Sequence, residues 1–433
     1  MASVGRCQAV FALVDCNNFY SSCLKLFRPD LRNTPVVVLS NNDGCVVARS
    51  KEAKALGIKM GEPVHHIKTE INRYGIQVFS SNYTLYGDMS RRVMTTLEAL
   101  APRVDVYSID EAFLDLTGID RVVSFEDFGR EVRNTVYQNV GLPVCVGIAP
   151  TRTLAKLANF AAKKYPATGG VVDLTDPARQ RRLMARVPVE EVWGVGRKLS
   201  ARLQAMGIVT ALQLADTHLA TLRKQFSVVL ERTARELNGV PCVPWEDVPA
   251  PKKQIMCSRS FGRPLQKLSD LEEAVAHFAT RATEKLRGGQ QYAGELMVFI
   301  RTNPFKATAP QYSRSASVKL IQPSQDSRVL VQQAQNLLRP MYREGFDYAK
   351  AGVMLGELVE VAGVQEDLFQ AAAEQAPDNG RSERLMAVMD TINRRSRATV
   401  YMAREAGPAA YAMRREHLSP AYTTDWAALP WVN

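Results

Sequence analysis

The chain has 433 residues, 46% of them hydrophobic and 23% charged, too many for one hydrophobic core and enough for about three or four domains. A net charge of +11 and a pI near 9.3 favour a polyanionic partner. No apolar run reaches the roughly 18 residues of a membrane span, Met1–Val14 lacks a signal-peptide layout, and seven widely spaced cysteines without a Cys-x-x-Cys pair argue against a zinc ribbon or a disulfide framework, so the expected location is the cytoplasm.

Phe11-Ala-Leu-Val14 reads as a buried strand that delivers Asp15 at its C-terminal end. Pro35–Leu39 is a second apolar strand, followed by the turn signal Asn41-Asn-Asp-Gly44. Helices are expected over Glu52–Leu56 and Asp88–Leu100, the latter with Met89, Val93, Met94 and Leu97 on one face. Val104–Leu116 alternates on either side of Asp110-Glu111, as two strands of a hairpin with acids near its bend. Asp105 and Asp115 are expected to face solvent within that hairpin. Phe125–Val140 is an amphipathic helix, Val144–Ile148 a buried strand, and Thr151–Lys164 a helix with a Thr cap, ending before Pro166. Interleaved strands and helices through residue 172 make an α/β or α+β core.

From Leu174 to about Gly239 the pattern is helical, and Pro241–Lys253, with four prolines, reads as a linker. A second α/β stretch runs from about Ser258 to Val361, with strands at Leu296–Ile300 and Ala351–Leu355. The remaining tail starts rich in Ala, Glu and Gln. From Arg381 to Arg415 it carries eight arginines against three acids, and Leu385, Met389 and Ile392 fall on one side of a short helix.

Asp15, Asp110 and Glu111 stand where strand pattern and turn signal converge. Carboxylates beside buried apolar runs are costly unless compensated, and a cluster of them raises its own pKa values. A divalent ion removes that penalty, and oxygen donors with few His or Cys nearby select Mg2+ or Mn2+ over zinc. Paired ions of this kind serve in-line phosphoryl transfer. Spacing alone leaves open that the acids are unrelated turn residues.

These residues also carry a resemblance. Asp15-Cys-Asn-Asn-Phe-Tyr20 with Ser21-Ser-Cys23, and Tyr107-Ser-Ile-Asp-Glu-Ala-Phe113, resemble the two catalytic motifs of Y-family DNA polymerases. Gly147-Ile-Ala149 and Leu154-Ala-Lys-Leu-Ala158 add to the match. Ser40–Cys45, Ser80–Tyr83 and Ala351–Gly356 are similar to the UmuC-like branch of that family, and the likeness covers almost the whole chain.

The resemblance implies an α+β right-hand polymerase. Its ferredoxin-like palm would be residues 1–19 and 83–172, its small fingers 20–82 and its helical thumb 173–243. An α/β little-finger domain over 252–358 would follow a linker at 244–251, with a tail over 359–433. It implies error-prone, template-directed DNA synthesis across lesions, in the SOS response to DNA damage. Two ions would be held by Asp15, Asp110, Glu111 and the main-chain carbonyl of Cys16. Asn18, the backbone of Phe19, Lys54 and Lys163 would meet the triphosphate, with Lys51 where some relatives have an aromatic. Tyr20 would exclude a 2′-hydroxyl.

Val192–Gly196, with Gly194, Gly196 and then Lys198, resembles a helix-hairpin-helix whose turn approaches a DNA phosphate. Lys252, Lys253, Arg259, Arg263, Arg301, Lys306, Arg314 and Lys319 would give the little finger its charge. Gln365, Leu368 and Phe369 fit a sliding-clamp (beta) binding peptide, and the tail resembles a docking region for a UmuD-type accessory dimer and RecA. Two readings from other classes remain open at this stage: a nucleotidyl cyclase with a related palm, and a catalytically inactive DNA-binding scaffold.

Overall fold

A computed structural model describes residues 9–245, 251–306, 308–360, 379–396, 400–405 and 410–429. These fall into two compact units, drawn from Met1–Ser40, Gly44–Pro249 and His417–Asn433 for the first and from Asn41–Asp43 and Ala250–Glu416 for the second.

The first unit opens with β1 (Phe11–Cys16) and α1 (Phe19–Phe27). Next come β2 (Val36–Leu39), β3 (Val46–Arg49), α2 (Lys51–Ala55), α3 (Lys68–Tyr74) and β4 (Gln77–Ser80). They form a small sheet of order β3-β2-β4, in which β4 runs parallel to β2. The chain returns through α4 (Tyr83–Leu100), β5 (Val104–Val106), β6 (Glu111–Asp115), α5 (Phe125–Val140), β7 (Val144–Ala149), α6 (Arg152–Lys164) and β8 (Val171–Asp173). The main sheet has the order β5-β6-β1-β7-β8, with β1 antiparallel to both neighbours. Its first four strands with α4 and α5 trace the βαββαβ path of a ferredoxin-like fold.

All six residues of β1 and of β7 are buried, because helices cover both faces of the sheet. Ala12, Val14 and Cys16 join the core under α4 and α5. Leu13 and Phe113 join the core under α6 and the helices that follow. The period of two in a strand therefore puts Asp15, like Leu13, on the α6 face. Those later helices are α7 (Pro177–Met184), α8 (Arg197–Ala205), α9 (Ala211–Asp216), α10 (Leu219–Gln225) and α11 (Val228–Leu237).

Gly147 lets α6 lie directly on β7: a Cβ there would come 2.2 Å from the Asn159 nitrogen and 2.4 Å from the Ala155 oxygen. Asn159 then donates to the carbonyls of Leu13 (3.2 Å) and Cys145 (2.8 Å). At the start of α6 the buried Glu236 carboxylate accepts from the Thr153 nitrogen and hydroxyl and from the Cys242 and Val243 nitrogens. This fastens α11 to α6 and satisfies donors that the helix end leaves open.

The second unit has a sheet of order β11-β10-β12-β9. It is built from β9 (Ile255–Leu265), β10 (Gln291–Thr302), β11 (Ser313–Ser324) and β12 (Tyr348–Glu360). The helices α12 (Leu268–Gly288) and α13 (Ser327–Met341) pack on one face, where Leu296, Val298, Ile300, Ala351, Val353 and Leu355 are buried. The alternate residues face outward. A further helix, α14 (Asn379–Ser396), buries Met386 and leaves Leu385, Val388 and Ile392 exposed.

The structure differs from the sequence expectations in particular places. The helix expected from Asp88 begins at Tyr83, where Asn82 accepts from the Leu85 nitrogen and caps it. Asp105 does not simply face solvent: it pairs at 2.7 Å with Arg152, itself only 5% exposed and set among Phe11, Phe113 and Trp245. Asp115 is paired with Arg103 at 3.4 Å. Among the described residues no helix is long and apolar enough to cross a membrane.

Candidate active site

Asp15 and Glu111 are register partners across β1 and β6, so their carboxyl groups leave the same face of the sheet side by side. Asp110 is tied to β1 from the other direction, its carbonyl accepting from the Cys16 nitrogen at 2.9 Å. The Ser108 hydroxyl donates to the Asp110 carboxylate at 2.6 Å and accepts from the Glu111 nitrogen at 3.1 Å, which shapes the bend. Cys16 and Phe19 themselves are buried.

Countercharge comes from α6. Lys163 lies 2.5 Å from Asp15, and Lys156 lies 2.8 Å from Glu111. The lysines stand seven residues apart, two helical turns, and so project from one face. Lys156 was not among the sequence candidates, although its spacing from Lys163 is a legible signal. Its ammonium also sits over the Tyr107 ring at 4.2 Å and near Trp193 at 5.3 Å. Trp193 belongs to the turn before α8, which holds Gly194 at φ +88° with Gly196 capping the helix.

Burial pushes the Asp15 carboxyl up to about 7, against the pull of Lys163. The neighbouring Glu111 adds to that rise. Burial alone would raise Glu111 too, but hydrogen bonds from Asp15 and Lys156 bring it below its ordinary value. Three carboxylates at this strand end, Asp15, Asp110 and Glu111, meet only two ammonium groups, Lys156 and Lys163.

The donors here are carboxylate and main-chain oxygens, the set that suits a hard divalent cation. As placed, no three His, Cys, Asp or Glu side chains among the described residues converge on one metal position; the Asp110 carboxylate is engaged by Ser108. The donor chemistry and the deficit of positive charge fit such an ion.

Beside the acids lies a cavity of about 780 Å³, lined among others by Asn17, Asn18, Lys25, Lys51, Lys54 and Lys163. Asn18, at φ 51° ahead of α1, accepts from the Lys54 ammonium. Burial lowers the pKa of Lys54, and the nearby Arg49 and Lys163 lower it further. Cations gathered this closely repel one another and favour an anion between them. Arg49 is a further residue that the motifs did not indicate. Tyr20 stacks on Tyr86 with centroids 4.0 Å apart and planes 9° from parallel.

In the second unit, Arg301 and Lys350 are directly opposite on β10 and β12, and the neighbouring Arg301 adds to burial in lowering the Lys350 pKa. Of the bases named from sequence there, Lys319 is paired with Glu357 and Lys306 lies 3.7 Å from Asp347. Arg259 pairs in register with the buried Ala351, and so lies on the helix-covered side of the sheet. Lys252, Lys253, Arg263 and Arg314, like Lys198 in the first unit, are exposed. Gln365, Leu368 and Phe369 lie outside the described residues.

The sequence matches the impB/mucB/samB family over residues 14–159 and the C-terminal domain of that family over 252–368. A family HHH motif matches 177–208, and a domain of unknown function matches 383–432. Protein UmuC of Salmonella typhimurium is 51% identical over 97% of this chain and 99% of its own length. The chain belongs to the impB/mucB/samB family. MucB of Escherichia coli is 49% identical over 97% of this chain and 99% of its own. DNA polymerase IV of Moorella thermoacetica is 28% identical over 84% of this chain and 89% of its own. Among solved structures, a Y-family DNA polymerase chimera of Dbh and Dpo4 superposes with a TM-score of 0.63. It has 20% identity and covers 81% of this chain and 99% of that one. The fold is therefore that of a Y-family polymerase, a right hand on a ferredoxin-like palm.

Proposed function

We propose that this UmuC-like family member is an error-prone, template-directed DNA polymerase that extends primers across damaged DNA, moving a nucleotide from a dNTP to the primer 3′-hydroxyl. The observation that carries the reading is the pairing of Asp15 with Glu111 across β1 and β6, with Asp110 bound to Cys16 at the same strand end. Relatives named DNA polymerase IV and the polymerase fold support it. The palm is assigned to residues 1–19 and 83–172, the fingers to 20–82, the thumb to 173–243 and the little finger to 252–358.

Asp15, Asp110, Glu111 and the Cys16 carbonyl would hold two Mg2+ ions, with Mn2+ as a substitute. Ions held by these residues would supply activation of the primer hydroxyl and compensation of charge on the departing pyrophosphate. Lys163 and Lys54 bind triphosphate oxygens as point charges, beside Asn18 and the Phe19 backbone. The Tyr20 ring fills the space a ribose 2′-hydroxyl would need. The turn at Gly194, Gly196 and Lys198 approaches a DNA phosphate through its backbone. Arg301 and Lys350 repel each other on the open face of the little-finger sheet until a phosphate lies between them. A cyclase needs neither feature.

In the tail, Gln365, Leu368 and Phe369 are assigned to a sliding clamp. The exposed Leu385, Val388 and Ile392 on α14 suit a UmuD-type accessory dimer or RecA. Titration of each purified partner against the chain checks these assignments, and absence of binding removes them. The decisive experiment is primer extension past an abasic site. Asp110→Asn should lower extension by about a hundredfold or more while sparing DNA binding. Near wild-type extension by that variant, in excess Mg2+, would overturn the assignment.

A further inference from the structure

The segment that follows the second unit in sequence returns to the first. The His417 carbonyl accepts from the Ser80 nitrogen at 2.9 Å, and the His417 nitrogen donates to the Ser80 hydroxyl at 3.0 Å. Ser419, almost fully buried, accepts from the Asn82 amide at 2.9 Å. Tyr422, 5% exposed, lies flat on Phe27 with centroids 4.8 Å apart and planes 5° from parallel. Its ring is counted in the same core as Phe19 and Tyr86.

The places gripped are not arbitrary. Ser80 ends β4, Asn82 caps α4, and Phe27 ends α1. These are the two helices that carry the tyrosine stack. Tyr20 lies in the first turn of α1; Tyr83 and Tyr86 lie in the first turn of α4. Tyr83 meets both other rings edge-on at 6.4 Å. Tyr86 is fully buried, so it cannot yield to pressure on Tyr20 unless α4 moves. The placement of α4 at that end is set by Asn82, whose oxygen caps the helix while its amide is held by Ser419.

We propose that residues His417–Tyr422 are part of the nucleotide site: a strap that positions α1 and α4 so that Tyr86 backs Tyr20 and the stack excludes ribonucleotides. Ser419 and Tyr422 are positioning residues, Tyr86 the backing residue. Exclusion by contact is steep in distance, so slack of a fraction of an ångström in α4 admits the extra hydroxyl. This gives a role to the end of a region otherwise matched only as a domain of unknown function. The inference rests on the reading of Tyr20 as the sugar-excluding residue.

The test measures, on the full chain, the ratio of extension efficiencies for ribo- and deoxyribonucleotides opposite one template base. Tyr20→Ala is the reference and should raise the ratio most. Tyr422→Ala, losing one aromatic stack, should raise it about three- to tenfold, and Tyr422→Phe should restore the wild-type value. Tyr86→Leu should act in the same direction as Tyr422→Ala. If Tyr422→Ala does not fold, Ser419→Ala decides by the same ratio. An unchanged ratio in Tyr20→Ala removes the gate reading itself. A raised ratio in Tyr20→Ala with an unchanged one in the folded strap variants overturns the strap. So does an equal loss of efficiency for both sugars, which is the mark of a role in stability alone.

Discussion

The five-stranded sheet of the first unit and the four-stranded sheet of the second are both largely antiparallel, and each packs helices on a core of alternating apolar residues. They differ in what their other residues meet. The first sheet is covered on both faces, and its α6 face holds Asp15 and Glu111 against Lys163 and Lys156. Among the described residues the second is covered by helices on one face, and its other face sets Arg301 directly opposite Lys350 in register. A buried acid must be compensated from within the fold or by a bound cation. An exposed base can wait for its counterion, and two adjacent bases make an anion welcome. The covered sheet is suited to chemistry and the open one to grip.

Two glycines turn that comparison into a measurement. Gly147→Ala would drive a methyl into the backbone of α6, at 2.2 Å from the Asn159 nitrogen. Backbone cannot swing aside, so the cost should be about 3 kcal/mol or more, with extension lost as α6 lifts from the acids. Gly352→Ala meets atoms as near, the Ser258 Cβ at 2.4 Å and the Phe299 ring at 2.5 Å. The Phe299 ring can turn outward, whereas the Ser258 Cβ moves only with the backbone of β9, an edge strand, so a smaller cost of about 1–2 kcal/mol is expected. Denaturant unfolding of both variants checks the order, and equal costs would mean that the two faces are equally confined.

The smallest effect on stability is expected at Arg301 and Lys350. Replacing either by Ala relieves a like-charge pair and should change stability by no more than a few tenths of a kcal/mol. Each should nevertheless reduce the slope of log affinity for DNA against log salt by about one. A slope identical to wild type in both variants would show that this pair does not touch phosphate.

Much of the first unit is legible locally. Helix α5 has the bounds that its amphipathic period gives, β1 and β7 follow apolar runs, and Thr151 caps α6 where a cap signal stands. These features depend on neighbours within a turn or two, where period and capping chemistry operate. Strand β4 is less legible: Gln77–Ser80 holds only Val78 and Phe79 as apolar residues, too short a run to read alone, and its place is set by parallel pairing with the buried β2. The Y-family motifs name Asp15, Asp110 and Glu111 as a set and the resemblance adds Lys163 at the triphosphate, but nothing in their spacing states that residue 15 faces residue 111.

The sequence by itself determined the strands that follow apolar runs, such as β1, β2 and β7, most helices, the acids at strand ends and the basic balance of the chain, because those follow from local pattern and composition. Only the tertiary structure decided that Asp15 and Glu111 share a register, that Lys156 joins them and that Arg152 answers Asp105. It also brought Tyr86 beneath Tyr20 and the strap at His417–Tyr422 to α1 and α4. Each of these joins residues far apart in the chain. Their meeting depends on which strands pair, in what register, and which faces become buried, and no local period records that choice.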